Sequence, residues 1–373
     1  MSTIFVTGAT GYLGGYVLDE LLRRSDSRLA VLTRASDPAQ GKAKLWRALQ
    51  MHQDIETFRS FLPRIELVQG DLLLPKLGID ESTYARLTVE VESVLHIAAS
   101  LNRKSSKACF NANLRGALSV IQFGRAVADD HGLRRFGYVS TVAVAGIRNS
   151  ETVYEDSAVE WDRSDYDPYA RTKKFGEHML TELLPDVDRV IFRPSIVMGD
   201  SRDGRTSQFD MVGALITLAD VPVVPLRRDM RLDIVAADYV GEAIARIHLS
   251  EDPVHPIYHL SSGEQSVTAG EILDTLAPAL RMRPFLVPAM GRPFEWMFRT
   301  LDSLPRSTAQ RIGATMKVFW PYITFDTVFD NARVTETIGR PPPLFSSYGE
   351  QMYRFAKKVR FQYPYTPLPE EDA

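Results

Sequence analysis

The chain has 373 residues, 45% of them hydrophobic and 24% charged, a balance that excludes a disordered or collagen-like chain and suits one large domain with a smaller lobe. Forty-four basic residues against 47 acidic ones leave a net charge of −3, so the overall charge attracts no nucleic acid and any bound anion needs a local site. The single cysteine, Cys109, excludes an internal disulfide and a thiolate metal cluster, which points to a reducing compartment.

Short apolar runs alternate with helical spacings along the first two-thirds, the pattern of βαβ units around a parallel sheet. Strands are predicted at 4–7, 28–33, 65–69, 93–98, 136–140, 189–193 and 257–261. With no basic or cleavable apolar segment before the first of them in this sequence, a secretory signal is not expected. That strand runs into TGATGYLGG, where Gly8, Gly11 and Gly14 stand at the start of a helix whose Leu13, Val17, Leu18, Leu21 and Leu22 share a face. Glycines so placed allow a tight turn, close backbone approach to a pyrophosphate and close packing of helix on strand, with the helix N-terminus facing the phosphates. Thr7, Thr10, Tyr12 and Leu13 belong to the same cofactor loop, and a dinucleotide site is expected there.

The second strand ends VLTR, placing Arg34 where an acidic residue would bind a free ribose hydroxyl and an arginine accommodates a 2′-phosphate. Lys42 and Lys44 follow and add positive charge near that phosphate; solvated surface charge is the alternative for all three. NADPH is the expected cofactor. After the third strand, Asp71 is placed to accept a hydrogen bond from the adenine amino group, with a turn cap as its other role, and Leu72 is a further cofactor-binding residue. Ala98, Ala99 and Ser100 follow the fourth strand, where small residues let the chain lie along the cofactor. Asn113 is either a structural hydrogen-bonding residue or a cofactor-side one. Cys109 has no histidine close in sequence and reads as an inert thiol, and His96 as a residue of a buried strand. No metal-ligand spacing occurs among the seven histidines.

The fifth strand ends YVSTVAV, setting Ser140 and Thr141 at the carboxyl edge of the sheet, where open α/β proteins bind ligands. Tyr169 and Lys173 form a YxxxK pair on one helix face. A tyrosine has an ordinary pKa near 10, and a neighbouring ammonium group favours the phenolate and makes the hydroxyl a better acid. Arg193 and Pro194 follow the sixth strand, where cofactor and substrate converge; an ion-pair role for Arg193 is the alternative. Asp233 and Asp238 read as structural.

Beyond about residue 200 the βα rhythm weakens. The most apolar run, 211–226, is broken by Asp220, Pro222 and Pro225 and is shorter than the ~20 residues of a spanning helix, so a soluble, cytoplasmic protein is expected. A Rossmann-type doubly wound α/β domain is assigned to 1–200 and continued by about 230–262, with a substrate lobe at 201–229 and 263–373. Within 281–311, six arginines are interleaved with Phe294, Trp296, Met297 and Phe298, a surface that suits an anionic carrier, coenzyme A phosphates or a peripheral membrane contact, or else an ordinary solvated rim. The segment 353–361 carries the same ambiguity, and the tail after Pro364 is expected to be loose.

Together these residues resemble the extended short-chain dehydrogenase/reductase family over about 3–260. The segments TGATGYLG, VLTRA, VQGDLLLPKLGI, HIAASLN, YVSTVAV, IFRPSIVMGD and LDIVAADYVGEAI resemble one branch of it, the thioester reductases, which include fatty acyl-CoA reductases and the reductase domains of carboxylic acid reductases. The resemblance implies that Thr141, Tyr169 and Lys173 form a catalytic triad for NADPH-dependent reduction of an acyl-CoA or acyl-carrier-protein thioester to aldehyde, and onward to alcohol. Lys174 departs from the aromatic residue that many relatives carry there. An alcohol or sterol-type dehydrogenase and a sugar-nucleotide epimerase are the alternatives on the same scaffold, with a non-catalytic NADPH-binding regulator behind them. Acyl length and oligomeric state are not legible in these residues.

Overall fold

The computed structural model describes residues 2–253, 255–305 and 307–372, and the side chains of all of these except 308, 309, 311 and 371. Seven apolar runs form one sheet: β1 (Thr3–Thr7), β2 (Arg28–Thr33), β3 (Ile65–Gln69), β4 (Val91–His96), β5 (Arg135–Val139), β6 (Arg189–Pro194) and β7 (Ile257–Leu260). Their order is β7-β6-β5-β4-β1-β2-β3, and every neighbouring pair is parallel. Each coincides with a predicted strand to within a few residues. A parallel sheet covered on both faces needs continuously apolar strands, and all five residues of β1 and of β5 are buried.

The covering layers are amphipathic helices. On one face, α1 (Tyr12–Arg24) buries Val17, Leu18, Leu21 and Leu22 as its spacing predicts, and α2 (Pro38–Leu49) starts at Asp37, whose side chain accepts from the Gln40 N–H. On the other face, α3 (Gly116–His131) buries Val120, Ile121, Phe123 and Val127 against Phe5, Val94 and Phe136 of the sheet. A π-helical turn, Phe110–Arg115, leads into it. α4 (Pro168–Leu183) begins at Asp167, whose carboxylate accepts from the Ala170 N–H, with Pro168 in the first turn. Strand order reverses between β1 and β4, so their carboxyl ends diverge and open a crevice.

The smaller lobe is built from α5 (Asp210–Ala219), α7 (Gly291–Asp302), α8 (Thr308–Ile323) and α10 (Gly349–Lys358), whose Leu215, Phe298, Trp320 and Met352 meet in one core. Between them the chain returns to the sheet: α6 (Ala237–Leu249) lies against α1, so closely that a Cβ on Gly241 would stand 2.6 Å from the Tyr16 Cβ. Within 263–373, two stretches pack away from the lobe. α9 (Ala332–Ile338) buries Val334 and Ile338 in the sheet-side core. The tail, expected to be loose, is instead strapped to α2 and the helix after it. Thr366 exchanges hydrogen bonds with Trp46 and Gln50, Arg47 stacks 4.2 Å from the Tyr365 ring centroid, and Arg59 chelates Asp372 at 2.8 Å. Polar backbone and an aromatic ring that find partners on an adjacent helix do not fray.

Of the basic aromatic segment, Phe298 is buried, Arg283 pairs with Asp274, and Trp296 is 71% exposed. Arg306, expected in the same surface, lies outside the described residues. In the second such segment, Tyr353 is buried and donates to Asp220 at 2.7 Å. Among the described residues no helix is long and apolar enough to cross a membrane.

Candidate active site

The loop between β1 and α1 has a shape that only glycine permits at two points. Gly8 takes φ +80°, and a Cβ there would lie 2.4 Å from the Ala98 nitrogen; a Cβ on Gly14 would lie 2.0 Å from the Gly8 carbonyl oxygen. Gly11 caps α1 without a side-chain acceptor, so the first N–H groups of the helix stay available to an anion. The loop forms one end of a cavity of about 760 Å³ that runs across the carboxyl ends of β1, β4, β5 and β6 into the smaller lobe.

Eighteen of the sequence-derived site residues line that cavity: Thr7, Gly8, Thr10, Gly11, Tyr12, Leu13, Gly14, Arg34, Asp71, Leu72, Ala98, Ala99, Ser100, Ser140, Thr141, Tyr169, Lys173 and Pro194. Four do not, and each has other work. Lys42 donates to the backbone carbonyl of Asp372 at 3.4 Å. Lys44 donates to the backbone carbonyl of Arg34 from outside the cavity. Asn113 is fully buried, and its amide clamps the Ser100 N–H and C=O at 2.6 and 3.1 Å and meets Thr172 at 3.2 Å. Arg193 is spent on Glu177 of α4 in a buried two-point ion pair at 3.0 and 2.6 Å. Asp71 lines the cavity while its carboxylate accepts from the Leu73 N–H, so it also serves as a turn cap. Asp233 and Asp238 bind Ser195 and Ser201 side chains.

These residues fit a dinucleotide. The glycine loop is closed to side chains, the helix end is uncapped, and the buried Ser140 hydroxyl has no hydrogen-bond partner among the described residues. Arg34 is exposed at the rim and makes no ion pair among the described residues.

At the other end, Thr141 and Tyr169 meet. The Thr141 hydroxyl accepts from the Ala143 N–H at 3.2 Å, donates to the Pro194 carbonyl at 3.4 Å, and acts on the Tyr169 phenol to lower its pKa. Burial pushes the Tyr169 phenol above its ordinary range, and the charge of Arg103 works against that rise. Lys173, one turn along α4, is buried and donates to the Val139 carbonyl at 2.6 Å. Burial lowers its pKa to about 7, with the Glu177 carboxylate opposing the fall. The cation that lowers the phenol is Arg103, 4.8 Å from the Tyr169 ring centroid, while Lys173, expected to tune it, is not among the causes of its shift. Lys174 points away, to Asp165 at 3.0 Å and the Glu160 carbonyl at 3.1 Å.

Arg103, Phe319, Tyr322 and Phe325 complete this end of the cavity and were not picked out from sequence. Only the position of Arg103, just past the AAS of β4, could have signalled it. Cys109 does not line the cavity; its buried thiol donates to the Asn102 carbonyl at 3.3 Å, and burial raises its pKa. His96 shares a 2.6 Å hydrogen bond with Thr7, and burial lowers its pKa to about 3, which removes it as a base.

Aldehyde reductase lnbA of Aspergillus flavus is 26% identical over 318 residues, covering 81% of this chain and 30% of that protein. The isonitrile lipopeptide synthase of Mycobacterium tuberculosis is 29% identical over 272 residues, covering 66% of this chain and 11% of that protein. The chain thus spans less than a third of the length of these relatives. Among solved structures, the terminal R domain from the myxalamid PKS-NRPS biosynthetic pathway matches with a TM-score of 0.82 at 24% identity, over 97% of this chain and 92% of that one. A thiolation-reductase di-domain from an archaeal non-ribosomal peptide synthetase matches with a TM-score of 0.75 at 15% identity, over 96% and 76%. At these identities the likeness concerns the fold. The family model described as male sterility protein, NAD_binding_4, matches residues 6–244, more than half of the chain. The chain belongs to that family, and its Rossmann-type α/β fold is that of the solved reductase domains.

Proposed function

We propose that the protein is an NADPH-dependent reductase of acyl thioesters, taking the acyl group from coenzyme A or a carrier protein and releasing an aldehyde, which a second reduction converts to alcohol. The observation that carries this reading is that Thr141, Tyr169 and Lys173 line the same cavity as the glycine loop and Arg34. Arg34 at the end of β2, with no carboxylate paired to it among the described residues, supports the phosphorylated cofactor. The names of the relatives support a carrier-bound substrate.

A reduced nicotinamide, when bound, supplies hydride to the thioester carbon. The chain's own residues manage the oxygen. Thr141 and Tyr169 donate to the carbonyl oxygen as negative charge develops there. Because burial holds the Tyr169 phenol high, it keeps its proton until that charge appears and then gives it up as a general acid. Lys173, near neutrality in pKa, is suited to share and restore protons on the same helix face. The resulting hemithioacetal loses thiol as its C–S bond breaks, leaving the aldehyde.

Cofactor oxidation measured over a panel of acyl-CoA and acyl-pantetheine thioesters, with aldehyde trapping and mass spectrometry, tests the reading. NADPH consumption with trapped aldehyde is expected, and little with NADH. Turnover of a secondary alcohol or sugar nucleotide with no thioester reduced would overturn it.

A further inference from the structure

The acyl end of the cavity is walled by Phe319, Tyr322 and Phe325, and the Arg103 guanidinium stands among them. The Arg103 guanidinium stands 4.8, 5.0 and 5.3 Å from the ring centroids of Tyr169, Tyr322 and Phe319, and its side chain is only 15% exposed. A guanidinium has five N–H donors. Among the described residues its Nε is buried with no hydrogen-bond partner, the nearest carboxylate, Asp167, standing 3.4 Å away. Asp167 is itself occupied by the Ala170 N–H and the Tyr322 hydroxyl, at 2.8 and 2.7 Å. Arg103 lines the cavity together with Tyr169, so its guanidinium is within reach of a bound acyl chain.

We propose that Arg103 makes this site selective for acyl thioesters carrying a neutral oxygen acceptor, a hydroxyl or carbonyl, on the carbons next to the thioester. This rests on the thioester-reductase reading and adds the substrate class to it. The neighbouring Asp167 offsets the guanidinium charge, so a neutral acceptor suits the pair better than a second carboxylate. The guanidinium stands 4.8 Å from the Tyr169 ring centroid, so for a thioester whose carbonyl meets that tyrosine the acceptor within its reach belongs to the first few carbons of the chain. A saturated chain laid over the same wall strips water from those donors and gives no acceptor back. Sites built to hydrogen-bond a substrate oxygen discriminate strongly against analogues that lack it.

The test compares hexanoyl and 3-hydroxyhexanoyl N-acetylcysteamine thioesters, and the matching aldehydes, in wild type, Arg103→Met and Arg103→Gln. Wild type should favour the hydroxylated thioester by about tenfold to hundredfold in kcat/KM, and both variants should bring that ratio close to one. Any effect of Arg103 on Tyr169 acts on both substrates and cancels in the ratio. Equal kcat/KM in wild type, or a loss that falls equally on both substrates in the variants, overturns the proposal while leaving thioester reduction intact. The same preference on the aldehydes with no thioester reduced keeps the role of Arg103 and removes the thioester reading; no turnover of either class overturns both.

Discussion

Glu177→Gln is the most informative single perturbation of the scaffold behind the catalytic helix. Glu177 is 5% exposed, Arg193 is 4% exposed, and the two are joined at 3.0 and 2.6 Å across α4 and β6. The amide keeps the shape and removes the anion, leaving a buried guanidinium without a charged partner. Breaking a buried pair in this way costs about 3–5 kcal/mol. At about 2.1 cal/mol/K per residue of unfolding entropy, 373 residues give about 0.8 kcal/mol/K, so the melting temperature should fall by about 4–6 °C. Scanning calorimetry measures it directly. A Glu177→Met, Arg193→Met double variant should recover most of the loss, because it leaves no orphan charge. Glu177 also holds up the pKa of Lys173, so in Glu177→Gln a turnover that needs the ammonium form should decline at lower pH than in wild type. A single variant melting within 1 °C of wild type would refute the buried-pair argument. A double variant weaker than the single would show that Arg193 has another duty, such as contact with cofactor.

Arg34→Ala should raise the KM for NADPH by about tenfold to hundredfold, the worth of a hydrogen-bonded charge pair, and leave the KM for NADH unchanged; steady-state kinetics with both cofactors decides. Lys173 predicts a slope in stability against pH. Its pKa is about 7 folded and 10.5 ordinarily, so between those values the unfolded chain holds the extra proton and stability rises with pH, by at most about 1.4 kcal/mol per unit. Chemical denaturation from pH 7 to 10 should show that slope in wild type and lose it in Lys173→Met. Deleting residues 363–372 removes the hydrogen bonds and ring contact to α2 and should lower stability by about 2–4 kcal/mol, read by the same denaturation; a value under about 0.5 kcal/mol would mean the tail is only resting there.

The sheet was legible because strands buried on both faces must be apolar throughout. β1, β2, β5 and β6 read as mainly apolar runs, broken in β5 and β6 by the buried, paired Arg135 and Arg193, and the glycines of TGATGYLGG announced a turn that tolerates no side chain. Tyr169 and Lys173 were legible because a helix places positions four apart on one face. What stayed hidden depends on distant partners. Arg103 is given its surroundings by Phe319 and Tyr322, more than 200 positions away in the chain, so locally it looks like one of several surface charges. Lys44 and Asn113 lie near the predicted site in sequence, but one supports the Arg34 backbone and the other the Ser100 loop. The ordering of the tail likewise depends on Trp46 and Gln50, which no local pattern links to Thr366.

The most direct measurement follows a single oxygen atom. Tyr169→Phe removes the phenolic hydroxyl at the junction of Thr141 and Arg103 while keeping the ring. Cofactor affinity by fluorescence titration should stay within about twofold of wild type, and thioester turnover should fall by about 10²–10⁴, the usual contribution of a positioned general acid. Turnover equal to wild type with the cofactor bound normally would contradict the assignment of Tyr169 as proton donor.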